Sequence, residues 1–89
     1  MSKAAWTPMR RLRAAGPLAV HDPLEVLGYW RGWMVWVQAE ADTADWYIRV
    51  KDPRGCYAYD GYWRDSFAKT AEEAVAEAFR GACLLEAEG

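Results

Sequence analysis

The residues of this chain suited to covalent or acid–base chemistry are few and scattered. His21 is the single histidine, Cys56 and Cys83 are the two cysteines, and Asp60 and Asp65 flank the stretch Gly-Tyr-Trp-Arg. A nucleophile or general base works only with a partner at hydrogen-bond range and an orienting group behind it. No basic run or histidine adjoins either thiol to lower its pKa, and no GxSxG, phosphate loop, CxxC or HxxxH pattern is present. His21 is expected in a solvent-facing loop, the two acids at a turn, and both thiols in structural roles. No catalytic, metal or cofactor site is assigned, and the chain is read as a non-enzyme.

Chemistry of another kind, recognition by flat rings and cations, has better material. "GYWRGWMVWV" (28–37) holds three of the six tryptophans, and its large side chains fall on both parities of a strand, although a half-exposed strand needs only one apolar face. Trp30, Met34, Trp36 and Gln38 share one parity, and Arg31, Trp33, Val35, Val37 and Ala39 the other.

The elements that must position these residues follow from pattern. "WYIRVK" (46–51) alternates cleanly: Trp46, Ile48 and Val50 point one way, Tyr47, Arg49 and Lys51 the other. "DPRG" (52–55) is a turn, with Pro53 presetting φ and Asp52 bonding back to the backbone. "CYAYDGYW" (56–63) is a third strand, in which Asp60-Gly61 marks either a bulge or a second tight turn. Thr70 and Glu73 form a T-x-x-E capping box, predicting a helix over 71–87 whose inner face carries Val75, Phe79, Ala82 and Leu85 among small alanines. Gly81 within it suggests close approach to an aromatic ring.

Upstream, Thr7 can cap a short helix with Pro8 at its first position and Met9 and Leu12 on one face, but so short a helix is marginal alone. Residues 1–20 are therefore read as a basic arm carrying Lys3, Arg10, Arg11 and Arg13. "HDPLEVLG" (21–28) fits a capped helical turn better than the edge strand that Leu24 and Val26 also allow. The expectation is an α+β fold: a three-stranded antiparallel meander followed by a C-terminal helix packed on one face, with residues 21–89 as a single β-β-β-α domain.

A chain of 89 residues forms one domain, burying about 60–65% of its extended surface. Hydrophobic residues at 53% suffice for a core, and no run approaches a membrane span or a signal peptide. With two cysteines and no disulfide framework, a reducing, cytoplasmic setting is expected. From Glu40 onward eleven acids face six bases, a balance that disfavours gripping a phosphate backbone.

One helix can cover one face of a three-stranded sheet, so the second aromatic face needs another use. Three compete. The N-terminal 28 residues fold over it, with Trp6, Leu12, Leu18 and Leu24 as cover. Alternatively it is a protein interface, a homodimer included, since Trp, Tyr, Met and Arg are enriched at hot spots. Or it stacks bases, with Arg49, Lys51 and Arg54 at phosphates. The reading carried forward is protein binding through Trp30, Met34, Trp36, Tyr47, Arg49 and Lys51.

Two resemblances bear on the partner. "DWYIRVKDPRGC" followed by "TAEEAVAEA" (within 45–78) resembles the N-terminal half of HicB-type antitoxins, which implies binding of a small toxin. The thirteen residues between Cys56 and Thr70 exceed that pattern's usual spacing, the strand and DNA-binding segment that often follow are missing, and an N-terminal extension is added. Small size, acidity, aromatic strands and the capped Ala/Glu-rich helix are similar in kind to anti-CRISPR proteins of phages and mobile elements. That likeness implies an inhibitor occupying a surface of a nuclease or surveillance complex.

Overall fold

Arg31 and Gly32 redirect the chain where the sequence reads as one continuous strand. In the computed structural model, which describes residues 7–40, 43, 45–64 and 70–84, Arg31 has φ 52° and Gly32 φ 85°. Two consecutive positive φ values are what a two-residue type I′ hairpin requires, and glycine supplies one at no steric cost. The single strand expected over 29–37 is thus two, β2 (Glu25–Trp30) and β3 (Trp33–Ala39), with Trp30 paired to Trp33 across the turn.

A second correction lies upstream. The helical turn expected within 21–28 is a hairpin joining β1 (Val20–Asp22) to β2, with Asp22 opposite Glu25. Its capping acid does act locally, but on a β-turn: the Asp22 carboxylate accepts the Leu24 N–H at 3.2 Å. With β4 (Trp46–Lys51) and β5 (Tyr57–Trp63) the sheet has, among the described residues, five antiparallel strands in sequential order, not three. The 52–55 turn forms as its residues dictate, the Asp52 carboxylate accepting the Arg54 and Cys56 N–H groups, each at 2.9 Å. Asp60-Gly61 is neither turn nor bulge and lies inside β5. The irregularity sits earlier: Val50 pairs with Tyr59 and Lys51 with Tyr57, leaving Ala58 as the extra residue.

Within the segment read as an arm, Pro8–Ala15 form α1, capped by Thr7, whose hydroxyl accepts the Arg10 N–H at 3.3 Å. Met9 and Leu12 are buried. Gly28 on β2 makes the seat for Leu12, with Leu18 beside it: a Cβ there would lie 2.6 Å from Leu18 Cδ2 and 3.0 Å from Leu12 Cγ. A fully buried leucine stabilises by about 1.5–3 kcal/mol, which is how so short a helix holds its place. The docked side is the one α2 also covers, since α1 packs on both β2 and α2.

Helix α2 (Ala71–Gly81) starts at the expected capping box, with both reciprocal bonds present at 2.9 and 3.2 Å. It ends sooner than the periodicity predicts. Cys83 adopts φ 61°, and Leu84 is the buried residue past that break; Leu85 lies outside the described residues. Val75, Phe79, Ala71, Ala74 and Ala78 of α2 close over Val26, Trp30, Val35, Val37, Trp46, Ile48 and Val50. No helix among the described residues is long and apolar enough to cross a membrane.

Gly81 meets the ring anticipated for it: a Cβ would fall 2.2 Å from Tyr59 Cε2. That ring is held, because the Tyr59 hydroxyl donates to Glu77 at 2.9 Å. Burial, and then this bond to a carboxylate, push the phenol up to about 12.

Two outcomes follow. Gly81→Ala should destabilise by about 1–3 kcal/mol through overpacking, despite a helix-propensity gain of about 1 kcal/mol; a denaturant midpoint equal to or above wild type contradicts the ring contact. Because the folded state holds the Tyr59 proton more tightly than an unfolded tyrosine near 10, that stabilisation is whole below pH 10 and lost as pH rises toward 12. Tyr59→Phe should flatten the alkaline fall in melting temperature over that window.

Candidate functional site

The two hairpin turns set which side chains share the face that, among the described residues, no helix covers. Because a two-residue turn places its flanking residues on the same side, Trp30 and Trp33 both face the helices, and the parity before the turn is opposite to that after it. Trp30 is 6% exposed and its ring lies 5.3 Å from Phe79. It is therefore separated from the other five residues expected to bind a partner. Met34, Trp36, Tyr47, Arg49 and Lys51 are brought together on the open face.

Register orders that face into rows across the strands. Leu27, Trp36, Arg49 and Asp60 form the middle row; Glu25, Gln38, Tyr47 and Tyr62 flank it on one side, and Tyr29, Met34, Lys51 and Tyr57 on the other. Arg49 is the hub. Its guanidinium carbon stands 3.7 Å from the Trp36 ring centroid and 4.4 Å from that of Tyr47, and the group donates to the Gln38 side-chain oxygen. Its buried Nε has no hydrogen-bond partner among the described residues, so the charge is compensated mainly by ring faces, each such contact being worth about 0.5–2 kcal/mol.

Among the described residues, the two carboxylates of the face are each engaged by an aromatic donor. Trp36 Nε1 donates to Glu25 at 2.8 Å and the Tyr47 hydroxyl to Asp60 at 2.5 Å. The bond to Asp60, with burial behind it, holds the Tyr47 phenol above the ordinary tyrosine value. Tyr47 also stacks on Tyr62, with centroids 4.8 Å apart and planes 20° from parallel. The cations are left facing rings, the Lys51 ammonium 5.1 Å from the Tyr57 centroid.

Neither helix lies on this side of the sheet. Tyr29, Tyr57 and Tyr62 are 54, 52 and 48% exposed. Of the cover considered from sequence, Leu12 and Leu18 pack on the helix side, Leu24 is 63% exposed, and Trp6 lies outside the described residues. Tyr29, Tyr57 and Tyr62 were not among the expected site residues. Tyr57 had no simple signal, because the bulge at Ala58 turns it away from Tyr59, its partner in plain alternation.

The remaining chemical residues stay apart. His21 is exposed, on β1 rather than in a loop. Cys56 and Cys83, expected as structural thiols, are both free and exposed. Asp65 lies outside the described residues. Among the described residues, no three His, Cys, Asp or Glu side chains converge as a metal site.

No protein-family description, curated protein or solved structure matches this chain.

If Trp36 and Arg49 act as one unit, their effects on stability are non-additive. A double-mutant cycle of Trp36→Leu and Arg49→Met, followed by urea unfolding, should give a coupling of about 0.5–2 kcal/mol. Additivity to within about 0.3 kcal/mol would contradict the stacked arrangement.

Proposed function

We propose that the open sheet face is a protein-recognition surface and that the chain acts by binding rather than by catalysis. The supporting observation is the Arg49 guanidinium packed between Trp36 and Tyr47, on a face where three further tyrosines are about half exposed. Rings fixed by neighbours lose little entropy on docking, and pre-stacked arginine presents a rigid, weakly hydrated cation. Trp36, Tyr47 and Met34 are the apolar anchors; Arg49 and Lys51 set orientation against acceptor groups of the partner. Trp30 has no part in this surface.

As for the partner, the reading is an inhibitor of a host defence complex, of the kind phages and mobile elements encode, working in the cytoplasm by occupying a nuclease or surveillance-complex surface. Small size, acidity and the aromatic face support it. The order β4, turn, β5, α2 also keeps the hairpin-then-helix sequence of the HicB-type resemblance, so an antitoxin holding a small toxin is the second reading. Single-stranded nucleic acid is the third: the Tyr47–Tyr62 stack suits bases, while thirteen acids against eleven Lys and Arg oppose it.

Affinity capture from the cells that carry the gene, identified by mass spectrometry and repeated with Trp36→Ala and Tyr47→Ala, tests the reading. Each substitution should weaken binding by at least about tenfold while the variant still unfolds cooperatively, its stability lowered only by the lost ring contacts, about 0.5–2 kcal/mol each. A partner held equally by both variants contradicts it. Capture of a small toxin encoded beside the gene selects the antitoxin, and tryptophan quenching by oligo-dT that collapses with salt selects nucleic acid.

A further inference from the structure

The outer edge of β5 is a second surface, distinct from the open face. β5 is hydrogen-bonded on one side only, to β4, so among the described residues no strand meets the backbone groups along its other side. Sheets usually blunt such an edge by shortening it, by proline or lysine, or by a cover. The opposite edge, β1, is three residues long. β5 is seven residues, Tyr-Ala-Tyr-Asp-Gly-Tyr-Trp, without proline or lysine, and its bulge disturbs only the start.

An antiparallel strand can pair with its own copy about a two-fold axis, and the residue on that axis decides which side chains meet. With the axis at Asp60, two carboxylates would oppose each other, which destabilises. With the axis at Tyr62, Asp60 opposes Arg64 of the second copy, and the reverse pair forms symmetrically. Arg64 is 69% exposed, beside Asp45 at 3.2 Å. On the helix side the same register sets Gly61 against the Trp63 of the second copy. A Cβ at Gly61 would meet nothing within 4 Å, and Trp63 lines a hollow of about 240 Å³ with Glu73, Ala76, Glu77 and Arg80. An aromatic ring across from a strand glycine covers backbone that would otherwise stay bare.

We propose that the end of β5, Gly61–Trp63, pairs antiparallel with the same residues of a second copy about an axis at Tyr62, with Asp60 and Arg64 facing each other on either side, joining two sheets edge to edge with their open faces continuous. Charge complementarity between Asp60 and Arg64, and ring-to-glycine fit between Trp63 and Gly61, choose the second copy as occupant. This holds whether or not the open face binds a foreign protein, because it uses the strand edge.

Sedimentation equilibrium tests it on the full chain. A ladder this short lies at the small end of interfaces, so mass should double from 10.1 kDa between roughly 1 and 500 µM. Asp60→Arg should remain monomeric throughout, and Asp60→Arg with Arg64→Asp should regain the dimer. Asp60 and Arg64 have contacts of their own, so Gly61→Val is the independent variant. It fills open space, should keep or raise the melting temperature, and should shift dimerisation at least about tenfold to higher concentration. A wild-type monomer at every concentration, a dimer undiminished in Asp60→Arg or Gly61→Val, or a folded charge-swapped double variant that stays monomeric each overturns the proposal.

Discussion

The structure depends on the left-handed pair Arg31-Gly32. A strand alternates its side chains without exception, so a continuous strand through residues 29–37 would put Trp30 beside Met34 and Trp36. A two-residue turn instead pairs Trp30 with Trp33 and reverses the parity. Trp30, Val35 and Val37 then enter the core together, and Trp36 leaves it. The apparent excess of tryptophan resolves into one aromatic row for each side of the sheet.

That partition fixes the rest of the packing. With Val26 and Trp30 on the helix side, β2 presents Gly28 to α1, and the seat it leaves is filled by Leu12 and Leu18. Two helices then share one face of five strands, and the second face is made of rings, two engaged carboxylates and cations whose main contacts are π systems. Its order comes from neighbouring side chains: Glu25 fixes the Trp36 indole, Asp60 the Tyr47 phenol, and both rings hold Arg49. In the proposed binding role, side chains held this way would lose little further freedom on docking.

Much of this was legible in the residues. The alternation in "WYIRVK", the Asp-Pro-Arg-Gly turn, the Thr70–Glu73 box and the close packing at Gly81 each rest on a local rule, and each formed as that rule requires. The hairpin at Arg31-Gly32 was hidden because arginine rarely adopts positive φ, and no Asn-Gly or Asp-Gly pair marked the turn. Without that turn, alternation alone yields too few strands and places Trp30 on the face of Met34 and Trp36. Tyr57 escaped for a related reason: the extra residue Ala58 breaks alternation, and a bulge leaves no signature in composition. The docking of α1 rests on Gly28, a contact between segments that local pattern does not reveal.

Hydroxyl-radical footprinting of the isolated chain, read residue by residue by mass spectrometry, measures the partition directly. Oxidation of Tyr29, Met34 and Trp36 should run well ahead of that of Met9, Trp30 and Trp46, at concentrations low enough to keep the chain monomeric. Equal protection of Trp36 and Trp30, or faster oxidation of Trp30, would mean that the chain does not turn at Arg31-Gly32, and the two-sided sheet described above would be wrong.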